Sequence, residues 1–242
     1  MINFKIIVPA FNVESWAEKN INSILSQEYK NFEIFYTDDL STDNTFDVVS
    51  SLNDGRIDLV RNTQKKYALQ NIVESIDRAN PNDEDVIVVV DGDDWLYNDQ
   101  ALNIVKDTYE KKDVLLTYGS FMIPTSNKKY LLSGYKEEEI KNKLYRKLTW
   151  RASHLRTFKY KLWKNIDNKD LRVSDGRYFR MAADLATMFP MLEMSGGRFC
   201  PIHEILYSYN TDNPLNDHKV SSKLQSLTDQ YIRAKPVYET LF

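Results

Sequence analysis

Apolar and polar positions alternate along the first hundred residues in a repeating order. Residues 4–9 (FKIIVP) form a short apolar run ended by Pro9, the pattern of a central parallel strand buried on both faces. Residues 14–28 carry Trp16, Ile21, Ile24 and Leu25 at helical spacing, and residues 32–37 (FEIFYT) read as a second strand that stops at Asp38-Asp39. Ser41 to Thr45 is rich in helix-capping residues and predicts a helix through Leu52. Residues 57–60 form a third short strand, and residues 67–79 place Leu69, Ile72, Val73 and Ile76 on one helical face. The clearest strand, residues 85–90 (DVIVVV), runs into Asp91-Gly92-Asp93-Asp94. This alternation predicts an α/β fold with a Rossmann-like, mostly parallel central sheet and helices on both faces.

The second half is less regular. Residues 101–110 read as a helix, 114–120 as a strand, and 137–148 as a charged helix. Residues 184–194 set Leu185, Met188, Phe189 and Leu192 on one helical face, residues 201–209 resemble a closing strand, and the tail after Val220 reads as helical. No boundary or internal repeat divides the chain, so residues 1–242 are expected to form one domain, with a regular half (1–100) and a less regular half (101–242).

Ligands of open α/β sheets bind beyond the carboxyl ends of the strands. Three predicted strands end there in polar or turn residues: Pro9 to Asn12, Asp38-Asp39, and Asp91 to Asp94. The last places three carboxylates in four positions, a crowding that a cation would relieve. Mg²⁺ or Mn²⁺ suits oxygen ligands and commonly bridges substrate phosphates. An acidic turn that caps the following helix is the plainer account of the same residues. One carboxylate of Asp38-Asp39 can accept hydrogen bonds from a uracil or a ribose, as the acidic residue of a dinucleotide fold does.

Charge changes this picture in one region. Between Lys128 and Arg180 there are sixteen Lys and Arg against six Asp and Glu, in a chain whose net charge is −3. A local surplus of that size points to a phosphate-bearing partner, or equally to a solvated basic surface. No apolar run approaches the ~18 residues of a membrane span. The start lacks a basic stretch and a cleavage site. Cys200 is the only cysteine, and a cytoplasmic location is the simplest expectation.

The series IIVPAFN (6–12), DDLSTDNT (38–45) and VVVDGDDWL (88–96) resembles, in order and spacing, the nucleotide-binding half of family 2 glycosyltransferases of the GT-A fold. The resemblance implies that Pro9, Ala10 and Asn12 line the nucleotide pocket and that Asp39 holds the base. Asn71 matches an Asn that family members carry before the DxD strand. Asp91 and Asp93 correspond to the DxD motif, with Asp94 beside them, holding Mn²⁺ or Mg²⁺ against the diphosphate of a nucleotide sugar, by expectation a UDP-sugar. The implied reaction inverts the anomeric carbon by direct displacement with a carboxylate base, and Asp184 matches the family's base position. Ala183 stands where an acidic residue is usual, and residues 61–72 (RNTQKKYALQNI) lack the usual glycine. Lys65 and Lys66 in that stretch read as surface lysines.

His218 lies where many GT-A enzymes place a late metal ligand, and Lys219 beside it could touch the diphosphate. His154, inside the basic segment, could contact the acceptor or the pyrophosphate, while His203 reads as structural. Trp95, Trp150 and Trp163 could stack on a sugar, although large aromatics are more often core. The acceptor is open: a glycan, a lipid-linked saccharide or a hydroxymethylated nucleic acid. A nucleotidyltransferase is the first alternative, but it calls for a Gly-rich basic loop where this chain reads PAFNVESW. A non-catalytic nucleotide-sugar-binding module is the second.

Overall fold

The computed structural model describes the backbone of residues 1–242 and every side chain except those of Asp217 and His218. The strands are β1 (Phe4–Ala10), β2 (Phe32–Asp38), β3 (Ile57–Arg61), β4 (Val86–Val89), β5 (Trp95–Leu96), β6 (Leu116–Ile123), β7 (Lys128–Tyr130), β8 (Arg156–Lys159) and β9 (Phe199–Ser208). They form one sheet in the order β3-β2-β1-β4-β8-β6-β9-β5, with β7 paired to β6. The helices are α1 (Glu14–Leu25), α2 (Thr45–Ser51), α3 (Tyr67–Ala79), α4 (Ala101–Lys111), α5 (Glu137–Lys141), α6 (Tyr160–Trp163), α7 (Ala183–Met194), α8 (Asp217–Val220) and α9 (Ser222–Arg233).

The first half builds the predicted parallel sheet. β1 lies between β2 and β4, with Phe4 opposite both Phe32 and Val86, and β3 adds to β2. Side chains of a strand alternate between faces. Ile6, Val8, Val88 and Val90 accordingly pack with α1 and α4 in one core, while Ile7, Ile87 and Val89 pack with α3 and α7 in the other. Helices therefore cover both faces.

Several details depart from expectation, of which three bear on the site and its surroundings. β8 was not anticipated; it joins the two halves by pairing antiparallel with β4 (Val89 opposite Arg156) and with β6 (Thr117 opposite Thr157). α1 stops at Leu25, where the Gln27 side chain donates to Ser23 O and Asn98 O and accepts from Leu102 N. The helix expected over 137–148 breaks at Lys143, whose φ is 48°, and continues as a 3₁₀ turn over Leu144–Lys147 that buries Tyr145 and Arg146. No helix is long and apolar enough to cross a membrane, among the described residues.

Candidate functional site

The ends of β1, β2 and β4 meet at one edge, as the strand pattern predicts. Gly92 donates its N–H to Pro9 O, and a Cβ at that position would sit 2.6 Å from Ala10 Cβ. Only a glycine lets the acidic turn lie so close against β1. From the other side the buried Asn20 of α1 donates to the carbonyls of Asp91 and Asp94, at 3.0 and 2.7 Å. Backbone fit, rather than charge, fixes the turn.

Its three carboxylates face different partners. Asp91 Oδ2 accepts from Arg156 Nη2 at 3.1 Å, Asp93 Oδ2 from Asn213 Nδ2 at 2.7 Å, and Asp94 Oδ1 from Asn210 N at 2.7 Å. The hydroxyl of the buried Tyr207 accepts from Asp91 N at 3.0 Å. Burial pushes the Asp93 carboxyl up to about 6 and raises that of the fully buried Asp94, with Asp93 and Asp91 adding to the latter by repulsion. Asp94 Oδ2 and His154 Nδ1 are both buried without a hydrogen-bond partner. His154 Nδ1 lies 3.9 Å from Asp91 Oδ2, and burial together with Arg156 lowers its pKa well below the usual imidazole value. One ligand atom each from Asp91, Asp94 and His154 can be drawn within 4.8 Å of one another. Two carboxylates and a neutral imidazole, with unsatisfied acceptors buried among them, fit a divalent cation. The structure thus brings His154 to the acidic turn and directs Asp93 to Asn213. The His218 side chain lies outside the described residues.

On the nucleotide side, Asp39 is buried at the end of β2. Its Oδ1 accepts from Asn62 Nδ2 and Lys66 N, and its Oδ2 from Tyr67 N, each at 2.8 Å. The Lys65 ammonium stands 3.3 Å from Oδ2 and lies over the Phe11 ring. Lys65 is therefore no plain surface lysine, whereas Lys66 pairs with Glu74 at 2.7 Å. Asn71 Oδ1 accepts from Asn62 Nδ2, which ties α3 to Asp39. Asn12, at φ 52°, holds the neighbouring turn by accepting from Thr42 N and donating its own N–H to Ser41 Oγ. Pro9 and Ala10 supply backbone acceptors to Gly92 N and Asp39 N.

Asp184 sits in the first turn of α7, next to Ala182 in a left-handed conformation. Burial raises its pKa, while Arg156 opposes the shift. Arg156 is 6% exposed; it donates to Asp91, and its charge acts on Asp184 as well. Two nearby carboxylates in the chain are occupied: Asp175 is exposed and paired with Arg177, and Glu193 is buried against Arg146. Lys219 Nζ donates to Thr211 O at 2.5 Å, within the loop that carries Asn210 and Asn213. Trp163 is core, stacked on Phe158; Trp150 packs edge-on against Phe189; the Lys19 ammonium covers Trp95 at 3.5 Å.

Comparison with known proteins bears on the family and the fold. Residues 5–167 match Glycosyl transferase family 2, and the chain belongs to that family. It is similar to the Escherichia coli UDP-Glc:alpha-D-GlcNAc-diphosphoundecaprenol beta-1,3-glucosyltransferase WfaP, at 30% identity over 53% of this chain and 49% of that protein. Among solved structures, S. aureus TarS 1–349 in complex with UDP-GlcNAc superposes with a TM-score of 0.66 at 18% identity, covering 91% of this chain and 61% of that one. Glucosyl-3-phosphoglycerate synthase from Mycobacterium tuberculosis, with Mn²⁺, UDP and its product bound, gives 0.64 at 12% identity, covering 96% and 80%. These structural likenesses establish a GT-A fold. The chain spans about half the length of the curated relatives it matches.

Proposed function

We propose that this chain transfers a sugar from a UDP-sugar to an acceptor hydroxyl, depends on Mn²⁺ or Mg²⁺, and inverts the anomeric carbon. The observation that carries the reading is the bond from the buried Arg156 to Asp91 of the acidic turn, with the charge of Arg156 also acting on Asp184. Asp91 and Asp94 would hold the cation, with His154 or Asp93 beside them. When bound, that cation neutralises charge on the departing diphosphate. Asp39, with Phe11 beside it, would receive the base, and Asn62 and Asn71 keep that carboxylate in place. Asp184 takes the proton of the acceptor hydroxyl onto its carboxylate as the acceptor oxygen bonds to the anomeric carbon and the bond to the diphosphate breaks. Burial raises the Asp184 pKa, which makes it a stronger base than a solvated aspartate, and Arg156 opposes the rise.

The name of WfaP specifies a UDP-glucose donor and a sugar–diphosphate–lipid acceptor, and UDP-sugars head the candidates here. Asp184→Asn tests the assignment. A general base contributes roughly 10²–10⁴-fold, so kcat should fall by about that factor while UDP-sugar binding, read by calorimetry, holds. Turnover at the parent rate would place the base elsewhere.

A further inference from the structure

Away from the cleft, the last helix packs with its faces reversed. In α9, Leu224, Leu227 and Tyr231 recur at i, i+3 and i+7 and so share one face. That face is open: the three residues are 40–54% exposed, and Leu215 and Val220 just before them are exposed too. The adjoining face, which the protein half-covers, carries Gln225, Thr228 and Ile232, and Ile232 is the one buried residue of α9. α3, of similar length, does the opposite and buries Leu69, Ile72, Val73 and Ile76. What holds α9 in place is largely polar and lies at its C-terminal end. Arg146 donates to Ile232 O at 2.6 Å, and Arg233 donates to Arg146 O and Leu148 O at 2.8 and 2.9 Å. Ser221 caps the other end, accepting from Leu224 N.

An apolar stripe turned to solvent marks a contact surface, and charge indicates which kind. Residues 219–235 hold Lys219, Lys223, Arg233 and Lys235 against Asp229 alone. Asp229 pairs with Arg233, and Lys235 pairs with Asp170, so the surplus beside the stripe comes from Lys219 and Lys223, both exposed. Lys223 lies one turn from Leu227, where its stem can run along the stripe and keep the ammonium in water. Leucines and a tyrosine on one face with lysines along its edge make a helix that lies in the surface of an anionic bilayer. A second copy of the chain fits this face less well. Its lysines would meet these, and a stripe this narrow falls short of the ~1,200 Å² that a stable interface buries. The helix also stands close to the acidic turn along the chain. Loop 210–216, which leads into α8, carries Asn210 and Asn213, the donors to Asp94 and Asp93, and Lys219 is tied back to Thr211 O.

We propose that α9 docks this protein on an anionic lipid surface, with Leu224, Leu227 and Tyr231 entering the headgroup layer and Lys219 and Lys223 meeting lipid phosphates. Docking in this way sets the loop that braces the acidic turn beside the bilayer. It is independent of sugar transfer and can be measured without it.

The test is sedimentation of the full chain with vesicles of phosphatidylcholine, alone or mixed with phosphatidylglycerol, at low and at physiological salt. The protein should bind the mixed vesicles, more weakly as salt rises, and leave the neutral ones largely free. Leu224→Ser with Leu227→Ser should lower binding at least tenfold, and Lys223→Gln should lower it about fivefold. Both leucines are exposed and lie outside the contacts that anchor α9, so the double variant should keep the parent's unfolding temperature and UDP affinity. Should it not fold, Lys223→Gln decides. Failure of the parent to bind mixed vesicles overturns the proposal, as does parent-like binding by either folded variant. A dimer in sedimentation equilibrium that the double leucine variant dissolves would make a second copy the occupant and overturn it too. Absence of UDP binding by the parent would remove the glycosyltransferase reading and leave docking to be decided by the vesicles.

Discussion

A carboxylate offers about four acceptor positions, and Asp39 fills them from its own chain: Asn62, the backbone of Lys66 and Tyr67, and the Lys65 ammonium. Three of these donors are rigid and one is a flexible side chain. An arriving base therefore competes with Lys65, and the other three bonds hold the loop that starts α3. Asp39→Ala should weaken UDP binding and also destabilise the fold by about 1–3 kcal/mol, since buried donors lose their acceptor. Urea unfolding beside UDP calorimetry checks both. Unaltered stability would show that the loop is held by other contacts. That Asp39 ends a strand was legible in the sequence. Its structural duty was not, because the donors lie 23, 27 and 28 residues away and return through a turn no local pattern marks. Arg156, Asn210 and Asn213 escaped for the same reason: each meets the acidic turn from 65 to 120 positions downstream.

At the scale of elements, apolar periodicity located β1, β2, β4, α3 and α7, where burial follows the pattern closely. β8 was invisible because its four residues, RTFK, hold two cations. Arg156 is tolerated inside the sheet by its bond to Asp91, and Phe158 supplies the core contact. The basic surplus was legible as a count, but several of its partners, Glu84, Asp83, Asp91 and Glu193, lie outside the segment. The break at Lys143 has a similar origin. It turns Arg146 inward to grip Glu193 of α7 at 2.5 and 2.9 Å and Ile232 O at 2.6 Å. Burial raises the Glu193 pKa and Arg146 opposes the rise. Removing one partner of a buried pair strands the other charge. Arg146→Met should therefore cost about 3–5 kcal/mol, while Arg146→Met with Glu193→Leu should recover most of it. Equal stability of the single variant and the parent in denaturant unfolding would contradict this.

For the whole molecule, the acidic turn sets a balance between folding, pH and cation. Asp93 titrates near 6, and Asp94 is raised too, both chiefly because burial disfavours the charged form. For a carboxyl whose folded pKa lies above its unfolded value, the stabilising contribution is greatest below the unfolded pKa. It is lost as pH rises through the folded one. Without a cation, this site should grow costlier between about pH 4 and pH 7. A divalent cation binds the ionised carboxylates and must displace protons to do so at low pH. At a Mn²⁺ concentration 100 times its dissociation constant, binding contributes about 2.7 kcal/mol, which for a chain of this size raises Tm by about 5–10 °C. That shift is expected at pH 8. At pH 5, where Asp93 is mostly protonated, it should shrink to about 1–2 °C. Scanning calorimetry with and without Mn²⁺ at the two pH values, each reversed by chelator, makes the measurement. A shift of the same size at both would separate cation binding from these carboxylates. No shift at either would leave the acidic turn as a helix-capping feature held by Asn20, Asn210 and Asn213.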